Sequence, residues 1–326
     1  MAECLISVGS NLGDSALAID SALSELQSNS AISLRRVSLR HVTQAIGGPP
    51  GQNAFINAAA LIETSLLPTE LLGVLQALES RAGRTRSVRW GARSLDLDIL
   101  LYDNVVVNDE ALVLPHPRMA FRRFVLVPAA EIAPEMSHPL LRRNILQLLE
   151  HLEQAPNYVA ITGAPNVGTS ELVKAVAART EAVTVLECQP SGSSASSSLQ
   201  VELEFLNRRC ELLQRSTSRA TARYAISNFW MKQCLAYANK LCPEDLRQLE
   251  VAVLDCCDQV ASPKLVVLVE SELNNIQSDE QTEHLIEIQQ ALRNHLLEPG
   301  QPPFLLLDAA NPSWNEEEVV AAILAM

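Results

Sequence analysis

The chain has 326 residues, 48% of them hydrophobic, and a formal net charge of −13. This length is about twice that of a typical domain, so it predicts two domains, each with enough apolar residues for a packed core. The sequence has no apolar run of the roughly 18 residues that span a membrane and no secretion signal at its start, and it therefore predicts a cytoplasmic protein. The acidic excess lies mostly in the second half, which argues against a nucleic-acid partner.

The cysteines also support the predicted cytoplasmic location. There are seven, none in a Cys-x-x-Cys pair or a zinc-binding spacing, and an odd number argues against a disulfide framework. We therefore interpret them as buried thiols of a protein in a reducing compartment.

The most informative segment is residues 83–102, GRTRSVRWGARSLDLDILLY. Asp96 and Asp98 stand one residue apart in a predicted strand, so both carboxylates point to one face while Leu97 points into a core. Such a pair of hard oxygen ligands suits Mg²⁺, which also takes water and nucleotide phosphate oxygens. The alternative is a pair of surface aspartates on an edge strand, and the short motif alone does not decide between the two.

Four arginines precede the aspartates, at positions 84, 86, 89 and 93. Guanidinium groups bind phosphate oxygens with two parallel hydrogen bonds. An acidic pair next to an arginine cluster is typical of enzymes that transfer phosphate groups. The alternative interpretation is a solvated basic loop.

The helical spacing of residues 144–154, NILQLLEHLEQ, predicts the end of the first domain. We therefore expect domains at residues 1–155 and 156–326. The second opens with a strand, a glycine-rich turn and a helix over residues 158–180, which is the layout of a phosphate-binding P-loop.

This P-loop is incomplete. Gly163 and Gly168 have the required spacing, but Thr169 stands where the motif has lysine, and Ser170 follows it. The loss removes the cation that contacts the β- and γ-phosphates. The amides of the turn and the helix N-terminus would still attract an anion weakly.

Four blocks in the first half, in order along the chain, match one known family. They are ISVGSNLGD (6–14), TQAIGGPPGQNAFINAAA (43–60), the arginine–aspartate segment and LPHPRMAFRRFVLVPAAEIAP (114–134). Through them, the first half resembles 6-hydroxymethyl-7,8-dihydropterin pyrophosphokinases, folate-pathway enzymes that transfer pyrophosphate from ATP to a pterin alcohol. The resemblance implies a ferredoxin-like α+β fold, with an antiparallel sheet covered by helices on one side.

The same resemblance implies the roles of individual residues at the nucleotide. Asp96 and Asp98 would hold two Mg²⁺ ions, with ATP as co-substrate, and the pterin hydroxyl would attack the β-phosphorus. Arg84 and Arg93 would be catalytic and would steady the transferred group. The positions that match the family's ATP site are Gln76, Glu79, Arg86, Trp90, Ile99, His116 and Arg122.

At the pterin, the resemblance implies that Phe55 and Phe124 sandwich the flat ring. Asn57 would offer a donor and an acceptor to its amide edge. Taken alone, both phenylalanines would more simply be core residues. The remaining matched positions are Thr43, Ile46 and Gly47.

The second half resembles deoxynucleoside kinases, which implies an α/β domain with a parallel P-loop-type sheet flanked by helices. Glu187 would end a strand and act as the base. However, Asn228 stands where that family commonly has aspartate, and the predicted lid, residues 270–284, is acidic where the family has arginines. Residues 188–200 are serine-rich and predicted to form a flexible loop.

Three interpretations of the second half remain open. It is an inactive kinase-like domain used for homodimerisation or docking, a nucleotide-binding regulator, or an active nucleoside kinase. For the whole chain, the alternative to a pyrophosphokinase is an interaction platform without catalysis.

Overall fold

The computed structural model describes residues 1–83, 90–187, 198–217, 224–271 and 280–326. These residues divide into two compact units. The first contains residues 1–153 and 324–326, and the second contains residues 154–323.

The first unit is built on one antiparallel sheet. Its strands are β1 (Ala2–Ser10), β2 (Ile32–Val37), β3 (His41–Thr43), β4 (Phe55–Thr64) and β5 (Asp96–Tyr102). The sheet order is β2-β4-β1-β5, and β3 also pairs with β4. Two short hairpins are formed by β6 (Val107–Asn108) with β7 (Val113–Leu114) and by β8 (Ser137–His138) with β9 (Arg143–Asn144).

The helices of this unit are α1 (Ser15–Ser28), α2 (Pro68–Arg81), α3 (Arg123–Ile132) and α4 (Ile145–Gln154), with a 3-10 turn at Met119–Phe121. Local chemistry sets where they begin. Asp14 caps α1 by accepting a hydrogen bond from the Leu17 amide at 3.0 Å. Pro68 fits the first turn of α2, where its missing N–H is not needed.

The helices cover both faces of this sheet. On one face, Ile6 and Ile62 share a core with Ile19 of α1 and Leu75 of α2. On the other face, Leu5 is completely buried and α3 packs against β4, β1 and β3. The expectation of helices on one side was therefore wrong. Buried apolar residues alternate onto both faces of β1 and β4, so each face requires a cover.

The second unit contains a parallel sheet, as predicted. Its strands are β10 (Tyr158–Gly163), β11 (Val183–Val185), β12 (Ala225–Ser227), β13 (Leu265–Glu270) and β14 (Phe304–Asp308). They lie in the order β11-β12-β10-β13-β14. The continuous apolar runs of β10 and β13 are buried almost throughout, which is typical of a parallel strand covered on both faces.

The helices of the second unit are α5 (Thr169–Thr180), α6 (Leu199–Thr217), α7 (Gln233–Tyr237), α8 (Pro243–Gln259), α9 (Glu280–Leu296) and α10 (Pro312–Ala325). Within the described ranges, no helix in the chain combines the length and apolarity needed to cross a membrane.

The cysteines are mostly buried, as expected. Cys4, Cys210, Cys234 and Cys256 are buried, and all are free thiols. Cys242, at the start of α8, is exposed, which corrects the expectation for that residue. Cys188 lies outside the described residues.

Candidate functional site

The two aspartates lie on one face of β5, at the edge of the first sheet. In the pairing with β1, Asp96 is opposite Gly9 and Asp98 is opposite Ser7. The side chain of Asp96 is 19% exposed and that of Asp98 is 40% exposed. Leu97, between them, is buried in the core of the opposite face. The alternation predicted from the sequence is therefore present, and both carboxylates lie on the side of the sheet that also carries α3.

Gly9 lies between Asp96 and the predicted pterin-binding residues on this face of the sheet. A Cβ atom at this position would lie 3.3 Å from Asn57 Oδ1, 3.9 Å from the Cβ of Asp96 and 3.9 Å from the ring of Phe55. Because glycine leaves this space open, the side chains of Asp96, Asn57 and Phe55 border one continuous surface.

His116 faces the aspartates as a neutral imidazole. Its Nε2 lies 3.9 Å from Asp98 Oδ2. Burial, helped by the charges of Arg122 and Arg118 and opposed by Asp96, lowers its pKa to about 3. Its Nδ1 accepts the amide N–H of Arg118 at 3.1 Å, so the single ring proton sits on Nε2, the atom directed towards Asp98.

Arg93 is fixed beside Asp96. Its Nη1 donates to Asp96 Oδ2 at 2.5 Å. Asn11 holds both backbone groups of Arg93. Its side-chain oxygen accepts the Arg93 backbone N–H at 2.7 Å, and its backbone N–H donates to the Arg93 carbonyl at 3.0 Å. The backbone of the loop that precedes β5 is thereby tied to the end of β1.

Glu79 supports the aspartate strand from α2 and is 4% exposed. Its Oε1 accepts the amide of Leu97, the residue between the two aspartates, at 2.8 Å. Gln76 is exposed one turn earlier on the same helix. Ile99 is different, because its side chain is 4% exposed and packs in the core on the face opposite the carboxylates. Its side chain is therefore absent from the site, and only its backbone is available to a nucleotide.

Trp90 packs on the loop that follows β3. A Cβ atom on Gly47 would lie 2.8 Å from the Trp90 ring, and Gly47 has φ +71°. Both the close contact and the positive φ favour glycine at this position. Gln52 links the same two loops by donating to the carbonyls of Gly47 at 3.1 Å and Trp90 at 3.0 Å. Ile46 is the half-buried residue before Gly47 in this loop.

The predicted pterin residues lie where β3 and β4 pair. Asn57 Nδ2 donates to the Thr43 hydroxyl at 2.8 Å, and Phe55 is the residue paired with Thr43. Phe124 is half-buried in the first turn of α3, with the Arg122 guanidinium 5.6 Å from the centre of its ring. The Asn57 bond fixes the orientation of the amide, since its N–H₂ is directed at the hydroxyl.

Two of the predicted arginines, Arg84 and Arg86, lie outside the described residues, as does Arg89. In contrast, the structure adds three residues that the sequence did not single out: Asn11, Gln52 and Arg118. All three stand within the matched blocks, and for Asn11 and Gln52 a polar amide inside a glycine-rich loop is a signal that could have identified them.

In the second unit, the glycine-rich turn lies between β10 and α5. Gly168 has φ +82°, and α5 begins at Thr169. Gly163 ends β10, where a Cβ atom would lie only 2.5 Å from both Val167 Cγ2 and the Val269 carbonyl oxygen.

The Ser170 hydroxyl, in the first turn of α5, has a side-chain partner. Its Oγ accepts the side-chain amide of Asn228 at 2.8 Å. Asn228 also accepts the backbone amide of Glu187 at 2.7 Å. The side-chain amide of Asn228 therefore joins the first turn of α5 to the segment that follows β11.

Glu187, the predicted base, is locked in an ion pair with Arg209 of α6. Arg209 Nε lies 3.0 and 3.1 Å from the two carboxylate oxygens, and Nη2 lies 2.9 Å from Oε2. The side chains are only 3% and 6% exposed. Glu202, also on α6, is buried nearby. Burial raises its pKa, which Arg209 opposes and Glu187 reinforces.

Most of the predicted serine-rich loop and the predicted lid, residues 188–197 and 272–279, lie outside the described residues.

Comparison with known proteins places a family match on the first unit. A family model described as 7,8-dihydro-6-hydroxymethylpterin-pyrophosphokinase matches residues 5–134. A Bacillus subtilis protein named 2-amino-4-hydroxy-6-hydroxymethyldihydropteridine pyrophosphokinase is 44% identical over 131 residues, which are 40% of this chain and 78% of that protein. Haemophilus influenzae has a protein of the same name that is 38% identical over 154 residues, or 46% of this chain and 96% of its own.

Solved structures give weaker likenesses. Deoxyadenosine kinase from M. mycoides is 11% identical, with a TM-score of 0.41, over 52% of this chain and 100% of its own. HPPK-DHPS from Plasmodium falciparum is 12% identical, with a TM-score of 0.36, over 94% of this chain and 81% of its own. We assign no fold from these values.

Proposed function

The chain belongs to the 7,8-dihydro-6-hydroxymethylpterin-pyrophosphokinase family, and from this premise we propose that its first unit transfers pyrophosphate from ATP to 6-hydroxymethyl-7,8-dihydropterin in folate biosynthesis. The observation that carries the proposal is the shared surface around Gly9. A Cβ atom at Gly9 would contact the side chains of Asp96, Asn57 and Phe55, so these three side chains border the same space. A phosphate-handling group and a heterocycle-binding group are therefore adjacent, as a transfer between two substrates requires.

The residues present fit magnesium. Asp96 and Asp98 supply carboxylate oxygens on one face of the strand. In the described part of the chain, no group of three or more His, Cys, Asp or Glu side chains could hold a metal. A cation here therefore needs water and phosphate oxygens as its other ligands, which is the usual situation for Mg²⁺. Two Mg²⁺ ions, when bound, would neutralise the triphosphate and align it with the pterin hydroxyl.

Arg93 and His116 act on the phosphates in this proposal. Arg93 is paired with Asp96 but is 29% exposed, so its guanidinium can reorient towards a phosphate. His116 presents an Nε2–H and stays neutral, so it donates a hydrogen bond without adding charge. Glu79 acts indirectly, by holding the backbone of the aspartate strand.

Asn57 orients the pterin. One N–H of its amide is donated to Thr43, so its oxygen and its second N–H remain for the ring edge. Phe55 lies next to it and offers a flat face. These two residues can bind the heterocycle while the acidic side holds the nucleotide.

The test is direct. The purified full-length chain, given ATP, Mg²⁺ and the pterin alcohol, is expected to form AMP and the pterin diphosphate in equal amounts. Formation of ADP, or no turnover, would contradict the proposed activity.

For the second unit we propose a kinase-like domain that does not catalyse phosphate transfer. Its strand order and glycine-rich turn support the kinase-like assignment. The side chains support the loss of catalysis, because Glu187 is neutralised by Arg209 and is not free to take a proton from a substrate hydroxyl. The position of the missing P-loop lysine is occupied by Thr169, which carries no charge.

The alternative is a bifunctional protein that also phosphorylates nucleosides. Incubation with ATP and each deoxynucleoside separates the two, since the non-catalytic assignment requires that no deoxynucleoside monophosphate forms. A homodimer through the second unit stays a prediction, which sedimentation of the full chain would test.

A further inference from the structure

A row of directly paired residues crosses the first sheet on the face that carries the aspartates. Asp96 of β5 is opposite Gly9 of β1, and Gly9 is opposite Asn57 of β4. Asn57 is in turn opposite His41 of β3. Residues that are directly opposite each other in an antiparallel pair point to the same face. His41 therefore ends this row on the pterin side, three strands and roughly 14 Å away from Asp96.

The imidazole of His41 is held by Glu131, near the end of α3. His41 Nε2 lies 2.7 Å from Glu131 Oε1, and because an ionised carboxylate only accepts hydrogen bonds, the histidine is the donor. The second oxygen of Glu131 accepts the backbone N–H of Leu39 at 2.9 Å. Both oxygens of one acid on the helix are thus used by the segment that leads into β3, and the helix and the strand are joined at this point.

The same helix carries one of the predicted pterin rings. Phe124 lies in the first turn of α3 and Glu131 follows seven residues later, so the two side chains project from one side of the helix, two turns apart. On β3, His41 and Thr43 point to one face of the strand. Because α3 packs against β3 and β4, the Glu131 contact sets the distance between the helix that carries Phe124 and the strands that carry Thr43 and Asn57.

We propose that His41 and Glu131 are positioning residues for the pterin. Their hydrogen bond holds α3 against β3 at the spacing in which a flat ring fits between Phe124 and the strand residues. This role rests on the pyrophosphokinase activity proposed for the first unit. Neither side chain contacts the reacting groups in this role, so its loss weakens pterin binding and leaves ATP binding and the chemical step unchanged.

The test replaces His41 in the full-length chain. In His41→Leu, the KM for the pterin should rise about fivefold, as expected for the loss of one hydrogen bond, while kcat and the KM for ATP stay within about twofold of the wild type. Titration calorimetry with the pterin alcohol, Mg²⁺ and a non-hydrolysable ATP analogue should show the same loss of affinity. His41→Gln, whose side-chain N–H can replace Nε2–H, should restore wild-type affinity.

Arg40→Gln is the matched control. Arg40 precedes His41 in the chain but pairs with Asp20 of α1, on the opposite face of the sheet, so this variant should keep the wild-type KM for the pterin. The role of His41 is overturned if His41→Leu binds the pterin as the wild type does, or if His41→Gln loses as much affinity as His41→Leu. It is also overturned if kcat and both KM values change together, which would indicate a general loss of structure.

Failure of the proposed activity would give a different result. If the wild type binds the pterin but forms no AMP, the pyrophosphokinase assignment is wrong, and the calorimetric comparison of His41→Leu with His41→Gln still decides the role of His41.

Discussion

Acidic side chains stand beside the sheet in both units, but their charges are not equally available. Asp98 is 40% exposed and faces a neutral histidine, whereas Glu187 is 6% exposed and receives three contacts from one arginine. A carboxylate that is exposed, or paired with a partly exposed arginine that can turn away, remains able to bind a cation, whereas a carboxylate buried against a fixed guanidinium does not. The comparison teaches that the partner of an acid, rather than the acid itself, separates a reactive site from a structural one.

The largest expected effect is on the rate of AMP formation when Asp98, the more exposed aspartate, is replaced. Asp98→Ala should lower AMP formation about 10³-fold or more, because it removes an oxygen ligand from the phosphate site. Initial rates at saturating ATP and Mg²⁺ measure this effect. Asp20→Asn, at an exposed carboxylate on α1, is the matched control and should keep the wild-type rate. A loss of less than about tenfold in Asp98→Ala would break the comparison.

The next largest effect is on the stability of the second unit when Arg209, the partner of Glu187, is replaced. Arg209→Met should destabilise the second unit by about 3–5 kcal/mol, because it leaves a buried carboxylate without its partner. Denaturant unfolding measures the change. The double variant Glu187→Gln with Arg209→Met should recover much of the loss, since no uncompensated charge remains. Equal losses in the single and double variants would show that the pair does not act as a unit.

A smaller effect is expected at the pterin side of the first unit. Thr43→Val removes the hydroxyl that orients Asn57 and should raise the KM for the pterin by roughly tenfold, the value of one ordinary hydrogen bond. Steady-state kinetics with varied pterin measure it, with Thr43→Ser, which keeps the hydroxyl, as the control. An unchanged KM in Thr43→Val would remove the assigned role of this contact.

The smallest effect concerns Glu202, whose pKa burial raises. A carboxyl with a raised folded-state pKa contributes stability that is present below its unfolded pKa and is lost as the pH rises through the folded pKa. Glu202→Gln should therefore become more stable relative to the wild type as the pH increases from acidic to neutral. Unfolding curves across that interval test it, and a difference that does not change with pH would be the contrary result.

Much of the first site followed from the sequence because it depends on local alternation. The period of two in β5 places Asp96 and Asp98 together, and the same rule places Ile99 on the opposite face. The position of the Ile99 side chain was therefore predictable, although family likeness suggested an ATP contact. Gln52 was not, because its partners are backbone carbonyls that the sequence does not display.

The second site was less predictable for a different reason. Glu187 and Arg209 are 22 positions apart on separate elements, and no local pattern specifies that two distant charges will meet. The parallel sheet, in contrast, was expected from the strand, turn and helix layout of residues 158–180 and from the family resemblance, and the continuous apolar runs of β10 and β13 agree with it. The spacing of apolar and polar residues predicts which face of a strand or helix is buried, but it does not predict which buried charges form ion pairs.

The contact of Glu79 has a further consequence for β5, which is an edge strand. The Leu97 amide is taken by Glu79, and the Leu100 carbonyl is taken by the amide of His116. Exposed edges with unused amides and carbonyls invite pairing with another chain and aggregation. The groups that shape the aspartate strand therefore also protect it against self-association, and Glu79→Ala should form insoluble material sooner on mild heating than Gln76→Ala, whose side chain is exposed one turn away.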